Sequence, residues 1–181
     1  MAAQVKPTAV TIRSVGPFDL GRLSRLHRGC FEEAWSRSDL AHLLAMPGSF
    51  GLIARLSVGV LARFDAMRGV GFALCRVASD ESELLSIGVA VHYRRQGVAA
   101  HLLRSSMMRA RGAGARQMFL EVATDNVGAQ QLYLDHGFER VGTRCIHSCL
   151  KHARHVDEGL VIVSCCTAVE KNVADAFRDN T

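Results

Sequence analysis

The chain has 181 residues, of which 49% are hydrophobic and 22% are charged, so it can bury a core and is predicted to form one folded domain rather than a disordered chain. A formal net charge of +5 and a pI near 9.1 arise from residues spread along the chain, which favours anionic ligands without indicating nucleic acid. No apolar run reaches the ~20 residues that cross a bilayer, and residues 1–7 lack the apolar core of a secretion signal. We therefore expect a cytoplasmic protein whose six cysteines are reduced thiols.

The N-terminal half of the chain predicts a strand, two helices and two more strands. Apolar and polar residues first alternate as in a half-buried strand, and apolar residues at helical spacing then follow Pro17 and Asp19. Ser36 or Ser38 can cap the second helix, which Pro47 ends. The predicted elements are a strand at Ala9–Val15, helices at Leu20–Phe31 and Asp39–Ala45, and strands at Ser49–Leu61 and Val70–Val77.

The C-terminal half alternates strands with helices. Leu84–Val91 is nearly continuous in apolar residues and is predicted to be a central strand. The elements predicted after it are a helix at Val98–Arg111, a strand at Gln117–Ala123, a helix at Asn126–His136, and strands at Phe138–Thr143 and Leu160–Cys165. The order β-α-α-β-β-β-α-β-α-β-β predicts an α/β protein with a mixed central sheet. We expect a single domain over residues 1–166, followed by a short helix or a frayed tail in 167–181.

The turn after the predicted central strand has the features of an anion site. Arg94 and Arg95 supply positive charge, and Gly97, Ala99 and Ala100 let a ligand approach the backbone where a helix begins. Unpaired N–H groups and the helix dipole favour a phosphate there. The alternative is a solvated basic turn, which an isolated motif of this kind would favour. The apolar strand before it and the small residues after it favour a pyrophosphate site instead.

Three polar residues follow in the next strand and helix. Glu121 lies inside an apolar strand, where a carboxylate partly withdrawn from water can act as a general base. Asn126 and Tyr133 are seven residues apart and share one face of the following helix. The alternatives are a solvated strand edge for Glu121, a helix cap for Asn126 and core packing for Tyr133. Their joint occurrence one strand after an anion site favours a ligand cleft.

Residues 84–144 resemble the acetyl-CoA-binding core of the GCN5-related N-acetyltransferases (the GNAT family). Arg94–Ala99 matches the pyrophosphate loop Arg/Gln-x-x-Gly-x-Gly/Ala. Motifs across residues 10–144 further resemble the branch of this family that acetylates the N-terminal alanine of ribosomal proteins. These motifs are His27-x-x-Cys30-Phe31, Trp35-Ser36, Pro47-Gly48, Asp80–Leu84, Leu120–Val122, Asn126, Leu132-Tyr133, Gly137-Phe138 and Gly142–Arg144.

The resemblance implies a mostly antiparallel mixed sheet flanked by helices, acetyl-CoA as cofactor, and a role for each site residue. Glu121 is then the general base and Tyr133 the general acid. An α-amine has a pKa near 8, so a base is needed to prepare it at neutral pH; no covalent enzyme intermediate, and hence no cysteine nucleophile, is required. The implied cofactor contacts are Ile87, Gly88 and Val89 to the pantetheine arm, Arg94, Arg95, Gln96, Gly97, Val98, Ala99 and Ala100 to the pyrophosphate, and Asn126 to the arm.

The resemblance also implies an acceptor, the α-amine of a small-subunit ribosomal protein that begins with alanine. We expect no nucleic-acid or membrane partner, and a monomer or a weak dimer. The chain has His147 and Ser148 where close relatives have a Tyr-Tyr pair that shapes the acceptor site, and residues 56–68 are longer than the usual hairpin. Two alternatives therefore stay open: acetylation of a small amine or a lysine, and a non-catalytic acyl-CoA-binding module.

A set of cysteines and histidines near the C-terminus could instead bind zinc. It lacks the paired Cys-x-x-Cys spacing of structural zinc sites, and free cysteines are commonly small buried hydrophobes. We therefore predict no metal. The set comprises Cys145, His147, Cys149, His152, His155, Cys165 and Cys166.

Overall fold

A computed structural model describes residues 9–57, 69–145 and 159–166. The strands are β1 (Ala9–Ser14), β2 (Ser49–Ser57), β3 (Gly69–Ala78), β4 (Glu81–Val89), β5 (Gln117–Ala123), β6 (Glu139–Cys145) and β7 (Gly159–Cys166). The helices are α1 (Leu20–Arg28), α2 (Arg37–Ala45), α3 (Val98–Gly112) and α4 (Val127–Leu134), with short 3-10 turns at Pro17–Asp19 and Val91–Tyr93. The predicted order of strands and helices is confirmed over these residues.

The strands form one sheet in the order β1-β2-β3-β4-β5-β7-β6. Neighbouring strands run antiparallel except β4 and β5, which are parallel. A parallel pair needs a crossover, and α3 provides it between β4 and β5. The predicted fold class, a mostly antiparallel mixed sheet flanked by helices, is confirmed.

The two faces of the sheet bury separate clusters of side chains. The larger cluster joins the sheet to α3, where Leu102, Leu103 and Ala110 are inaccessible to solvent. The smaller cluster lies under α1 and α2 and contains Leu23 and Leu40. Both clusters include residues of β3 and β4, so these two central strands are packed on both faces.

Several predicted boundaries were wrong for identifiable local reasons. α1 ends at Arg28 rather than Phe31, because the N–H of Gly29 closes the last turn on Arg25 and Leu26. β4 begins at Glu81, three residues before the predicted start at Leu84. It ends at Val89 rather than at Val91, because Val91–Tyr93 forms a 3-10 helix. Asn126 precedes α4 as its cap rather than lying within it.

Other predictions hold closely or lie outside the described residues. Ser36 caps α2, accepting from the N–H of Asp39 at 3.2 Å. β5 has the predicted bounds. Residues 58–61 of the predicted second strand and residues 167–181 lie outside the described residues. In the described ranges, no helix combines the length and the apolar character that crossing a membrane requires.

Candidate active site

β4 and β5 lie side by side at their start and then separate. Their parallel pairing joins Glu81–Leu84 to Gln117–Leu120, whereas β4 continues to Val89 and β5 to Ala123. Within the described part of the chain, no pairing spans the gap between these two ends. The gap is a cleft of about 790 Å³, which can admit an extended ligand along β4.

The edge of β4 that faces the cleft offers backbone hydrogen-bonding groups. Leu84 and Ser86 pair with consecutive residues of β3, so Leu85 is an extra, bulged residue where the strands separate. β3 covers only one edge of β4 beyond this bulge, and alternate N–H and C=O groups on the other edge therefore face the cleft. An extended ligand with amide groups is suited to such an edge. The three residues predicted to hold a pantetheine arm all line the cleft: Ile87, Gly88 and Val89.

An open basin for an anion lies at one end of the cleft, where α3 begins. Gly97 caps α3 with φ +77°, and a Cβ atom added to it would meet no atom within 4 Å. The first N–H groups of the helix and the positive end of its dipole point into this space. Arg95 also has a left-handed backbone, with φ +61°, and lines the cleft together with Val98, Ala99 and Ala100. This arrangement suits a diphosphate.

Two side chains predicted to contact the cofactor also make hydrogen bonds within the turn. The Arg94 Nε donates to the Val89 carbonyl at 3.0 Å, and its guanidinium lies beside the Cys30 thiol. The Gln96 Nε2 donates to the His92 carbonyl at 3.2 Å. Gln96 does not line the cleft, whereas every other residue predicted to hold the cofactor does.

Glu121 lines the cleft on its β5 side, but it is exposed. Its strand neighbours Leu120 and Val122 are only 2% and 5% exposed, so Glu121 lies on the opposite face of β5 from these buried residues. The expected partial withdrawal of the carboxylate from water was wrong. β4 separates from β5 after Leu120, and the next side chain therefore borders an open cleft.

Tyr133 is buried and still lines the cleft. It is 4% exposed, and its ring centroid lies 5.6 Å from that of Phe138. Burial raises the pKa of the Tyr133 phenol to about 12, because the charged phenolate is poorly solvated there. The hydroxyl is therefore a protonated donor at neutral pH. Tyr133 therefore both packs in the core and lines the cleft, so both interpretations of this residue apply.

Asn126 is the N-cap of α4 and a cleft residue as well. Its Oδ1 accepts from the N–H of Ala129 at 3.1 Å. The side-chain NH₂ group then remains as the part of this exposed residue that can donate to a ligand. Asn126 and Tyr133 thus meet in one cleft, as their spacing predicted.

The loop after α1 forms a further wall of the cleft that sequence reasoning did not place. Cys30 and Phe31 line the cleft, and burial raises the pKa of the Cys30 thiol. A Cβ atom on Gly88 would lie 3.0 Å from the Cys30 Sγ and 2.7 Å from the ring of Phe72. Only a glycine in β4 lets the loop pack so closely on the strand. The His27-x-x-Cys30-Phe31 motif was visible in the sequence, but its contact with β4 was not.

Comparison with known proteins identifies the family of this fold and cleft. The acetyltransferase (GNAT) family matches residues 20–138. The chain belongs to the GNAT family. The N-alpha-acetyltransferase RimI of Mycobacterium tuberculosis (strain ATCC 25618 / H37Rv) is 34% identical over 146 residues, which cover 80% of this chain and 86% of that protein. The match places the chain among acyltransferases, as the sequence predicted.

Two solved structures share the GNAT fold. The ribosomal-protein-S18-alanine N-acetyltransferase from Escherichia coli has a TM-score of 0.73 at 22% identity, covering 91% of this chain and 98% of that one. Arabidopsis thaliana NAA60 in complex with acetyl-CoA has a TM-score of 0.72 at 18% identity, covering 86% of this chain and 97% of that one. At these identities the likeness concerns the fold. The GNAT match at residues 20–138 includes every residue predicted for the site.

The zinc hypothesis falls largely outside the described residues. His147, Cys149, His152 and His155 are not described, and the structure gives no side-chain detail for Cys145, Cys165 and Cys166. Among the residues that are described, no group of three or more His, Cys, Asp or Glu side chains could hold a metal ion.

Proposed function

We propose that this GNAT chain transfers an acetyl group from acetyl-CoA to the N-terminal α-amine of a protein, and that the acceptor is a small-subunit ribosomal protein beginning with alanine. The observation that carries the proposal is the single cleft that joins an anion basin at Gly97, a carboxylate at Glu121 and a protonated phenol at Tyr133. The similarity to RimI of Mycobacterium tuberculosis over 80% of the chain supports a protein N-terminus as acceptor.

The residues present fit acetyl-CoA along the whole cleft. The N–H groups at the start of α3 and the guanidinium of Arg95 would hold the diphosphate. The free edge of β4 at Ile87–Val89 and the amide of Asn126 would bind the amide-containing arm. Acetyl-CoA supplies an acyl group activated as a thioester. A backbone N–H of β4 can donate to the acyl oxygen and stabilise negative charge there.

Glu121 would take the proton from the acceptor amine. An α-amine has a pKa of about 7.7–8.0, so most of it is protonated and unreactive at neutral pH. A carboxylate at the open border of the cleft can accept that proton directly or through a water molecule. Its contact with solvent lets the proton leave the site.

The hydroxyl of Tyr133 would donate a hydrogen bond to the departing sulfur. Its pKa of about 12 lies above the ~8.5 of an ordinary thiol, so complete proton transfer from the phenol is unfavourable at the outset. The hydrogen bond from the hydroxyl strengthens as negative charge develops on the sulfur. It therefore stabilises the transition state more than the bound substrate.

A panel of acceptors tests the proposal. The purified chain is incubated with acetyl-CoA and an alanine-initiated hexapeptide, Nα-acetyl-lysine amide or propylamine, and thiol release is followed. We expect the hexapeptide to be acetylated with the highest kcat/KM and mass spectrometry to place the acetyl group on its α-amine. Preference for the lysine or for propylamine would overturn the proposed acceptor, and binding without turnover of any amine would favour a non-catalytic module.

A further inference from the structure

A buried histidine at the end of α1 lies inside a group of aromatic rings. His27 is only 3% exposed. Its ring stacks on Trp35 with centroids 4.9 Å apart and an interplanar angle of 18°. The rings of Phe31 and Phe72 lie 4.7 and 5.4 Å away. The mechanism above does not use this titratable group, although the loop it supports borders the cleft.

Two polar contacts fix how the His27 ring is protonated. The backbone N–H of Trp35 donates to Nδ1 at 3.2 Å, so Nδ1 carries no proton. Burial lowers the pKa of His27, and the neutral ring then carries its proton on Nε2. Nε2 lies 3.4 Å from the Oγ of Ser86 on β4. In this tautomer the histidine is the donor and the serine oxygen the acceptor.

The orientation of His27 therefore determines what Ser86 can offer a ligand. Ser86 is half-buried, lines the cleft and directly follows the Leu85 bulge where β4 leaves β5. Since its oxygen accepts from His27, its own proton remains for donation to another group. The hydroxyl of Ser86 can thus donate a hydrogen bond to an oxygen atom of a ligand in the cleft.

We propose that the Ser86 hydroxyl binds the carbonyl oxygen next to the acceptor's reactive amine, and that His27 is a positioning residue that orients this hydroxyl. The inference rests on the proposed function and narrows it to acceptors of one chemical class. A peptide α-amine has a carbonyl one carbon away, whereas a lysine ε-amine or an alkyl amine has only methylene groups there. The latter leave the half-buried hydroxyl without a partner, which disfavours them.

A selectivity ratio tests the role of Ser86. We compare kcat/KM for L-alaninamide, which has a carbonyl next to the amine-bearing carbon, with kcat/KM for propylamine, which has none; the change of this ratio between variants cancels the intrinsic differences between the two amines. In Ser86→Ala we expect the ratio to fall about three- to ten-fold, the range of one net hydrogen bond, mainly through KM for alaninamide. Ser86→Thr keeps a hydroxyl and should restore the ratio.

Ser82→Ala is the matched control. Ser82 lies on the same strand and donates to the Gln117 carbonyl at 3.0 Å, away from the cleft. This variant should leave the ratio unchanged even where it lowers stability. An unchanged ratio in Ser86→Ala would overturn the inference alone. A wild-type protein that acetylates propylamine or lysine but no α-amine would overturn the proposed function and the inference together.

His27→Asn separates positioning from folding. The asparagine oxygen can still accept from the Trp35 N–H, but the shorter side chain does not reach Ser86. We expect the same loss of selectivity as in Ser86→Ala, no further loss in the double variant, and an unchanged far-UV circular dichroism spectrum, which reports an intact fold. An equal fall in kcat/KM for both amines would show a merely structural histidine and contradict the inference.

Discussion

The side-chain oxygen of Gln130 accepts from the guanidinium of Arg140 at 2.6 Å. The Gln130 Nε2 meanwhile donates to the carbonyls of Ala123 and Thr124 at 3.0 and 2.9 Å. One buried amide on α4 thus connects the end of β5 and the turn after it to the start of β6. Glu121 precedes the turn at Ala123 and Thr124, and Asn126 follows it. Gln130 therefore fixes the relative positions of two cleft residues, although it does not line the cleft itself.

Replacing Gln130 with alanine should lower the free energy of unfolding by about 1–3 kcal/mol, because two backbone carbonyls lose their donor in a partly buried setting. Chemical denaturation measures the change. Gln131→Ala is the control, since Gln131 is exposed and its side chain donates a hydrogen bond to the Asp135 carboxylate one turn along the chain. This substitution should lower the free energy of unfolding by no more than about 0.5 kcal/mol. Equal effects of the two substitutions would show that the Gln130 side-chain hydrogen bonds contribute nothing to the free energy of unfolding.

Glu121→Gln should lower kcat at pH 7 by about 100-fold, the lower end of what general base catalysis contributes. The affinity for coenzyme A should not change, because the carboxylate is assigned to the amine and not to the cofactor. Raising the pH above 8 should recover part of the rate as the acceptor loses its proton to solvent. Stopped-flow thiol detection and calorimetry give the two quantities. A rate that is unaffected at pH 7 would remove Glu121 from the mechanism.

Tyr133→Phe should lower kcat by about 10- to 100-fold with little change in KM, because its hydrogen bond matters chiefly as charge develops on sulfur. The pKa of about 12 also predicts that wild-type activity, having risen through the ionisation of the acceptor amine, stays level up to pH 10. A pH–rate profile of both proteins checks this. A decline centred near pH 9 in wild type alone would mean that the phenol ionises far more easily than its burial implies.

His27 should make the fold sensitive to mild acid. Its pKa in the folded protein is lowered from 6.5 by burial, so the unfolded chain binds the proton more readily. The free energy of unfolding that His27 contributes is therefore fully present above pH 6.5. It falls as the pH drops below 6.5 toward the pKa of His27 in the folded protein. The emission of Trp35, which stacks on the ring, should change with a midpoint below pH 6.5. The fall in stability should be smaller in His27→Asn; a titration at or above 6.5 would contradict the assigned burial.

The sequence predicted those parts of the fold and site that depend on neighbouring residues. An apolar segment located β5, and two candidate capping serines, Ser36 and Ser38, marked the start of α2. The basic turn before a small-residue helix start indicated the open turn at Gly97, where α3 begins. In each case the physical cause lies within a few residues of the position that it explains.

Features that depend on residues far apart in the chain could not be predicted in this way. The exposure of Glu121 follows from where β4 leaves β5, which no residue next to Glu121 determines. The contact between His27 and Ser86 joins residues 59 positions apart. Gln96 was assigned to the cofactor from its place in the motif, whereas its side chain bonds to the preceding turn.

The affinity for coenzyme A of two glycine variants tests the central claim most directly. Gly97 and Gly114 stand at the start and just beyond the end of α3, both with positive φ and with open space where a Cβ would lie. Valine at either position adds similar backbone strain, but only at Gly97 does it also narrow the anion basin. By titration calorimetry, wild type and Gly114→Val should bind coenzyme A with similar Kd, and Gly97→Val should bind at least ~10-fold more weakly. No heat with wild type, or equal affinity in all three proteins, would contradict the account.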